Sequence, residues 1–183
     1  LKGWIIAGVV VALLAVMGIS GFNSLVSMNE NVNGKWAQVE NQLQRRADLI
    51  PNLVSTVQGM ASQERAVIQS VADARAKLAG AQGPAAKAEA NDQLSGSLSR
   101  LLVVVENYPT IKSDKSFLAL QDELAGTENR LAVARKDYND AVQVFNAKIQ
   151  SFPSVLYARM LGFSPKEYFK AAEGAKQVPQ VKF

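Results

Sequence analysis

The sequence predicts an all-α protein: an N-terminal transmembrane helix followed by an antiparallel bundle of long amphipathic helices, the first of them kinked near Pro51. Three observations predict it. Residues 3–22 carry no charge. From Val32 onward apolar residues recur at alternating steps of four and three, the spacing that lines one face of a helix. Between the turns almost nothing alternates with period two, as a half-buried strand would.

The apolar run comes first in the chain. At about 1.5 Å rise per residue, some twenty residues cross the roughly 30 Å hydrocarbon core of a bilayer. Gly3 opens the run, and Trp4 and Phe22 bracket it as interfacial aromatics do. The competing reading is a cleaved secretory signal, with Gly18-Ile19-Ser20 as the cleavage site. The run is longer than the apolar region of such signals, so a retained anchor is expected. Gly8 and Ala12 form a small-xxx-small pair through which helices can approach in lipid. Lys2 before the run and a charge-poor flank after it favour a cytoplasmic N-terminus and an extracytoplasmic domain, with a cytoplasmic domain as the alternative.

The second element is the long stripe of Val32, Trp36, Val39, Leu43, Ile50, Leu53, Val57, Met60, Val67, Val71, Ala74 and Leu78. Its unbroken phase predicts one helix to Gly80, bent at Pro51, where a backbone donor is lost. The run Gly80-Ala81-Gln82-Gly83-Pro84 then ends it. Arg46 and Glu64 occupy stripe positions, so each needs a polar partner. A further helix runs from after Pro84 to about Asn107 with Leu94, Leu98, Leu101, Leu102 and Val105 on its apolar face. Tyr108-Pro109-Thr110 closes it, residues 109–115 form a loop, and Asp114 or Ser116 caps the next helix. That helix carries Phe117, Leu120, Leu124, Leu131, Ala134, Tyr138, Ala141 and Phe145, and ends before Pro153. Short connections between long helices make neighbours antiparallel. The expected organisation is an anchor and juxtamembrane segment over 1–29, a helical bundle over 30–153, and a tail over 154–183 holding short helices and aromatic residues.

Composition excludes more chemistry than it suggests. The chain has 183 residues and neither cysteine nor histidine. That leaves no disulfide, no thiolate nucleophile, and none of the commonest general base or metal ligand. Lys and Arg exceed Asp and Glu by 20 to 16, and they are scattered, so no nucleic-acid groove is expected. Asp48, Asp122, Glu123, Glu128, Asp137 and Asp140 suggest a carboxylate-bridged metal bundle. Such bundles use a Glu-x-x-His motif that is absent here, so these carboxylates read as solvated helix faces. Ser113 beside Lys112 and Lys115 lacks an oxyanion hole and does not read as a catalytic dyad. No catalytic, cofactor or metal residue and no small-molecule substrate is therefore expected. Gln44-Arg45-Arg46 reads as an exposed Arg45 and an Arg46 paired within the bundle, rather than a phosphate grip. Glu128 with Asn129-Arg130 reads as a polar layer, and Arg159 as snorkelling from apolar surroundings.

Several stretches resemble the LemA family: Asn31-Val32-Asn33 with Trp36, Gln44-Arg45-Arg46-Ala47-Asp48-Leu49-Ile50-Pro51-Asn52-Leu53-Val54, Glu106-Asn107-Tyr108-Pro109, Leu120 through Arg130, Ala134-Arg135-Lys136-Asp137-Tyr138-Asn139, and Phe152-Pro153. The resemblance implies a bacterial, single-span inner-membrane protein with a helical-bundle domain, and it supplies no catalytic residue. Some members carry a lipidated cysteine where this chain has Gly18 to Gly21, which agrees with an extracytoplasmic domain.

The function expected is that of a membrane-anchored scaffold or adaptor acting as a homo-oligomer, with Trp36, Arg46, Glu64, Phe163, Tyr168 and Phe169 as candidate interface residues. The expected partners are the lipid bilayer and other copies of the chain. The alternatives are a regulator of a membrane protein partner, such as a quality-control protease or signalling complex, and an enzyme of unknown type.

Overall fold

A computed structural model describes residues 2–61 and 63–170. The helices are α1 (Lys2–Met60), α2 (Arg65–Gly80), α3 (Gly83–Val105), the single turn α4 (Pro109–Lys112) and α5 (Lys115–Gln150), followed by a 3-10 turn at Ser154–Leu156. No strand occurs among the described residues. Contacts divide the chain into two compact units. One pairs Leu1–Trp36 with Asp137–Lys166. The other is built on Ala37–Lys136 and takes the chain up again from Glu167. Both α1 and α5 contribute to each unit.

In the second unit the helix expected to run to Gly80 is broken at residues 61–64. Pro51 lies inside α1, which continues past it. The Ala61 amide still donates to the Val57 carbonyl, but the Glu64 amide reaches back only to the Ala61 carbonyl, and α2 starts one residue later. The energetic reason is burial. Extended straight on, α2 would leave its apolar face in water. Folded back, it buries Ile68, Val71, Ala74 and Leu78 in the same core as Leu43, Ala47, Ile50, Leu53 and Val57 of α1. Each large aliphatic side chain so covered contributes about 1.5–3 kcal/mol, more than an uninterrupted helix gains from the few backbone bonds at the corner. The fold-back is pinned where the Arg75 guanidinium donates to the Ala47 carbonyl at 2.9 Å. Val71, Ala74 and Leu78 are buried as the stripe requires, and only its first position differs: Ile68 is in the core, and Val67 is half-buried.

Helix α3 packs antiparallel to α2, with Lys77 Nζ reaching Gln93 Oε1. It buries Leu94, Leu98, Leu101 and Val105, while Leu102, expected on this face, is 37% exposed. The loop expected at 109–115 contains α4, because Ile111 has a place in the core and one helical turn puts it there. Asp114 caps α5 as expected: its carboxylate accepts from the Phe117 amide at 2.9 Å. Phe117, Thr127 and Leu131 of α5 are buried, whereas Leu120 and Leu124 are half-covered.

In the first unit Leu25 and Val32 of α1 are buried, as are Tyr138, Val142, Phe145 and Ile149 of α5. The two helices run antiparallel: Lys35 pairs with Asp137 at 3.1 Å, and Met28 shares a surface hollow with Val144. After α5 the chain turns at a cis Phe152–Pro153 peptide and buries Ser154 and Ala158. It reverses at Gly162, whose φ of +83° suits glycine and strains other residues. Phe163 follows, half-buried between Phe22 and Phe145, with ring centroids 6.1 and 6.2 Å away. Asn146 fixes the returning strand of chain from both sides, donating to the Lys166 carbonyl at 2.9 Å and accepting from its amide at 2.8 Å. The expected extended end, Pro179 to Phe183, lies outside the described residues.

Candidate functional site

Two features stand apart from ordinary core packing, and each sits in its own unit. The first is the start of α1. Among the described side chains from Gly3 to Ser20, every one is exposed, with Trp4 at 87% and Val11 at 65%. The stretch is long and apolar enough to cross a bilayer. Water is a poor solvent for such a surface, and a patch of this size marks an interaction surface. Coverage by the rest of the unit begins at Gly21, where an added Cβ would collide with the Tyr157 hydroxyl.

The second feature is Arg46, which is 5% exposed in the core of the other unit. Its Nη1 donates to Asn91 Oδ1 at 2.6 Å and lies 2.7 Å from Glu128 Oε2. Its Nη2 donates to Ser95 Oγ at 3.0 Å. One guanidinium therefore joins α1, α3 and α5. Burial pushes its pKa down, and the charges of Glu128 and Asp92 push it back up. A guanidinium nevertheless stays ionised at neutral pH. Its Nε and the Oε1 of Gln42 have no hydrogen-bond partner among the described residues. Glu128 is 42% exposed on its side chain and keeps contact with water, so the ion pair itself contributes little. What the cluster holds is a hydrogen-bonded register between three helices.

Sequence reasoning missed Asn91 and Ser95, although a signal was there. Asn91 sits in the apolar stripe of α3, three residues after Ala88 and three before Leu94. A polar residue at a core position of one helix is a natural partner for a charged residue at a core position of another. Arg45, as expected, lies outside the core. It pairs at 2.6 Å with Glu123, which also takes Arg130 at 3.0 Å.

Glu64, the other charged stripe residue, accepts from the Tyr108 hydroxyl at 3.0 Å. This hydrogen bond, then burial and the Glu64 charge, raise the Tyr108 pKa above its ordinary value. The sign follows from linkage. A phenol held protonated in the folded state contributes stability that is complete below its unfolded pKa, near 10, and is lost as pH rises through the folded value. Tyr108→Phe is expected to lower stability modestly at neutral pH, where that contribution is complete, and to flatten the fall at alkaline pH. Thermal unfolding across an alkaline pH series, with tyrosinate absorbance recorded in parallel, checks it.

The other candidate interface residues find neighbours within the chain. Trp36 packs against Tyr138 with centroids 5.1 Å apart. Phe169 is 1% exposed, with the Arg135 guanidinium 5.0 Å from its ring centre. Tyr168 is half-buried beside Lys170, and Phe163 lies between Phe22 and Phe145 as described.

Among the described residues no group of carboxylates stands close enough to hold a metal ion. A hollow of about 580 Å³ lies between α2 and α3, and Asp73, Lys77, Glu89, Asp92 and Arg100 line it. A site for a small organic ligand is mostly apolar and enclosed; this one is a charged groove open to solvent.

The sequence profile described as the LemA family matches residues 35–183. Two proteins of Paramagnetospirillum magneticum, magnetosome proteins MamQ 1 and MamQ 2, are each 30% identical over 187 residues, covering 88% of this chain and 68% of theirs. Protein LemA of Metamycoplasma hominis is 21% identical over 152 residues, covering 82% of this chain and 69% of its own. With a profile match over most of its length and relatives at this level of identity, the chain belongs to the LemA family.

Proposed function

We propose that this protein is a non-catalytic scaffold of a bacterial cell membrane. Residues 3–22 cross the bilayer once, the helical units stand on the extracytoplasmic side, and copies associate to act together. The observation that carries the reading is the start of α1, whose described apolar side chains have no cover among the described residues. Lipid, or lipid with other copies, is the solvent that suits them. Nothing lies within 4 Å of a Cβ added at Gly8, so this position is open to a close helix–helix approach in lipid. Arg46 and Glu64 have partners within the chain and Phe169 is buried, so the association surface falls on side chains left exposed, Val103 of α3 and Val133 of α5 among them.

Mass measurement of the full chain in lipid nanodiscs and in mild detergent tests association. More than one copy per particle is expected, shifting toward monomer in Gly8→Ile. A monomer under every condition contradicts the reading.

The charged groove between α2 and α3 favours a second reading, in which the bundle presents a surface to another membrane protein such as a protease or signalling complex. Stoichiometric co-purification of one membrane protein, lost on charge reversal at Lys77 and Arg100, would support it over self-association.

A further inference from the structure

Where α1 emerges from its apolar stretch, the segment after α5 is folded against it. Tyr157 meets Gly21, and Phe163 packs on Phe22. The outer side of this segment is apolar and uncovered among the described residues. Phe152 is 81% exposed and Met160 87%, with Val155, Leu156 and Leu161 also in solvent. A ten-residue segment that leaves its largest apolar side chains in water, while burying Ser154 and Ala158, has them facing the wrong way for a core. Position explains the inversion. If Phe22 marks the edge of the hydrocarbon, side chains level with Gly21 and Phe22 lie at the bilayer surface.

Charge points the same way. Residues 141–166 include Lys148, Arg159 and Lys166 and no acidic residue, and α1 has none between Gly3 and Asn29. This end of the unit is therefore suited to anionic headgroups, with Arg159 among the apolar side chains that would enter the lipid.

We propose that residues 152–161 form a membrane-surface foot. Phe152, Leu156 and Met160 insert into the headgroup–acyl boundary beside the span, and Arg159 reaches the headgroups. The foot gives the first unit a second attachment to the bilayer, against which α5 as well as α1 is fixed. This inference rests on the proposed span, and its test separates the two.

The test uses the full chain in phosphatidylcholine–phosphatidylglycerol vesicles containing lipids brominated at the acyl carbons nearest the headgroup. Single-tryptophan variants are made: Leu156→Trp and Met160→Trp in a Trp4→Phe, Trp36→Phe background; Trp4→Phe alone, which leaves Trp36, about 21 Å past Phe22 along α1, as a control; and Trp36→Phe alone, which leaves Trp4 to report the span. Positions 156 and 160 are exposed, and far-UV circular dichroism verifies that each variant folds. The expected result is that Trp4 and the tryptophans at 156 and 160 lose most of their emission to bromine and are blue-shifted, while Trp36 is not quenched. An unquenched Trp4 overturns the span, and the foot with it. A quenched Trp4 with unquenched reporters at 156 and 160 overturns the foot alone. Reporters that are blue-shifted but insensitive to bromine also overturn it, because protein rather than lipid then covers the segment.

Discussion

Arg46→Met is expected to lower the unfolding free energy by about 2 kcal/mol, the cost of leaving a buried polar group unpaired. Combining it with Asn91→Leu is expected to recover most of that loss, because replacing a buried polar cluster by apolar side chains of similar volume is close to neutral. The loss falls on the partner that is stranded. Glu128 Oε2, which faces Arg46, is buried, but the side chain is 42% exposed and can turn this oxygen to water when the guanidinium goes. Ser95 keeps the bond from its hydroxyl to the Asn91 carbonyl, at 3.0 Å. Asn91 is 1% exposed, and its Oδ1 loses the Arg46 Nη1 bond with no water to replace it. Glu128→Gln should therefore cost far less than Arg46→Met, about 1 kcal/mol or below. Guanidinium denaturation of the full chain in mild detergent measures all four proteins. A single Arg46→Met variant as stable as the parent would mean that the three-helix node contributes nothing.

A larger effect is expected at the membrane. Val11→Asp together with Leu13→Asp places two carboxylates at the middle of the proposed span. At the bilayer centre each costs about 2.5–3.5 kcal/mol on the insertion scale, against roughly 0.3–0.6 kcal/mol gained per Leu, Ile or Val. The apolar residues of the run offset about one such charge and not two. The double variant is expected to leave the membrane fraction on alkaline carbonate washing, while the parent stays. Both side chains are exposed and outside either core, so the helical units should fold in each case. Retention of the double variant would contradict a single span as the sole strong attachment, though a foot at residues 152–161 would still give weak, salt-sensitive binding.

What was legible in the sequence was whatever depends on local pattern. The uncharged run, the three-four stripes, the cap at Asp114 and the need for partners at Arg46 and Glu64 all follow from spacing and residue type. The corner at 61–64 did not. The stripe holds its phase across it, and only the energy of burying α2 against α1 decides that the chain turns back. For the same reason the shift from Val67 to Ile68 was hidden: which of two adjacent apolar residues faces inward depends on where the neighbouring helix lies. The single turn at Pro109–Lys112 exists to seat Ile111, a tertiary demand with no signature in four residues. The aromatic tail carried the least information. Composition shows that Phe163 and Phe169 need cover, but not that Phe163 finds it between Phe22 and Phe145, or that Phe152 and Met160 find none among the described residues.

On this account the exposed start of α1 lies in lipid, and the buried cores of the two units include none of the described side chains of residues 3–20. Hydrogen–deuterium exchange on the full chain, in nanodiscs and in detergent-free buffer at high dilution, tests this directly. The account predicts that amides of residues 3–22 are strongly protected only in the bilayer, while those of Val32, Val39 and Phe145 are protected in both conditions. Rapid exchange of residues 3–22 in the bilayer would contradict it.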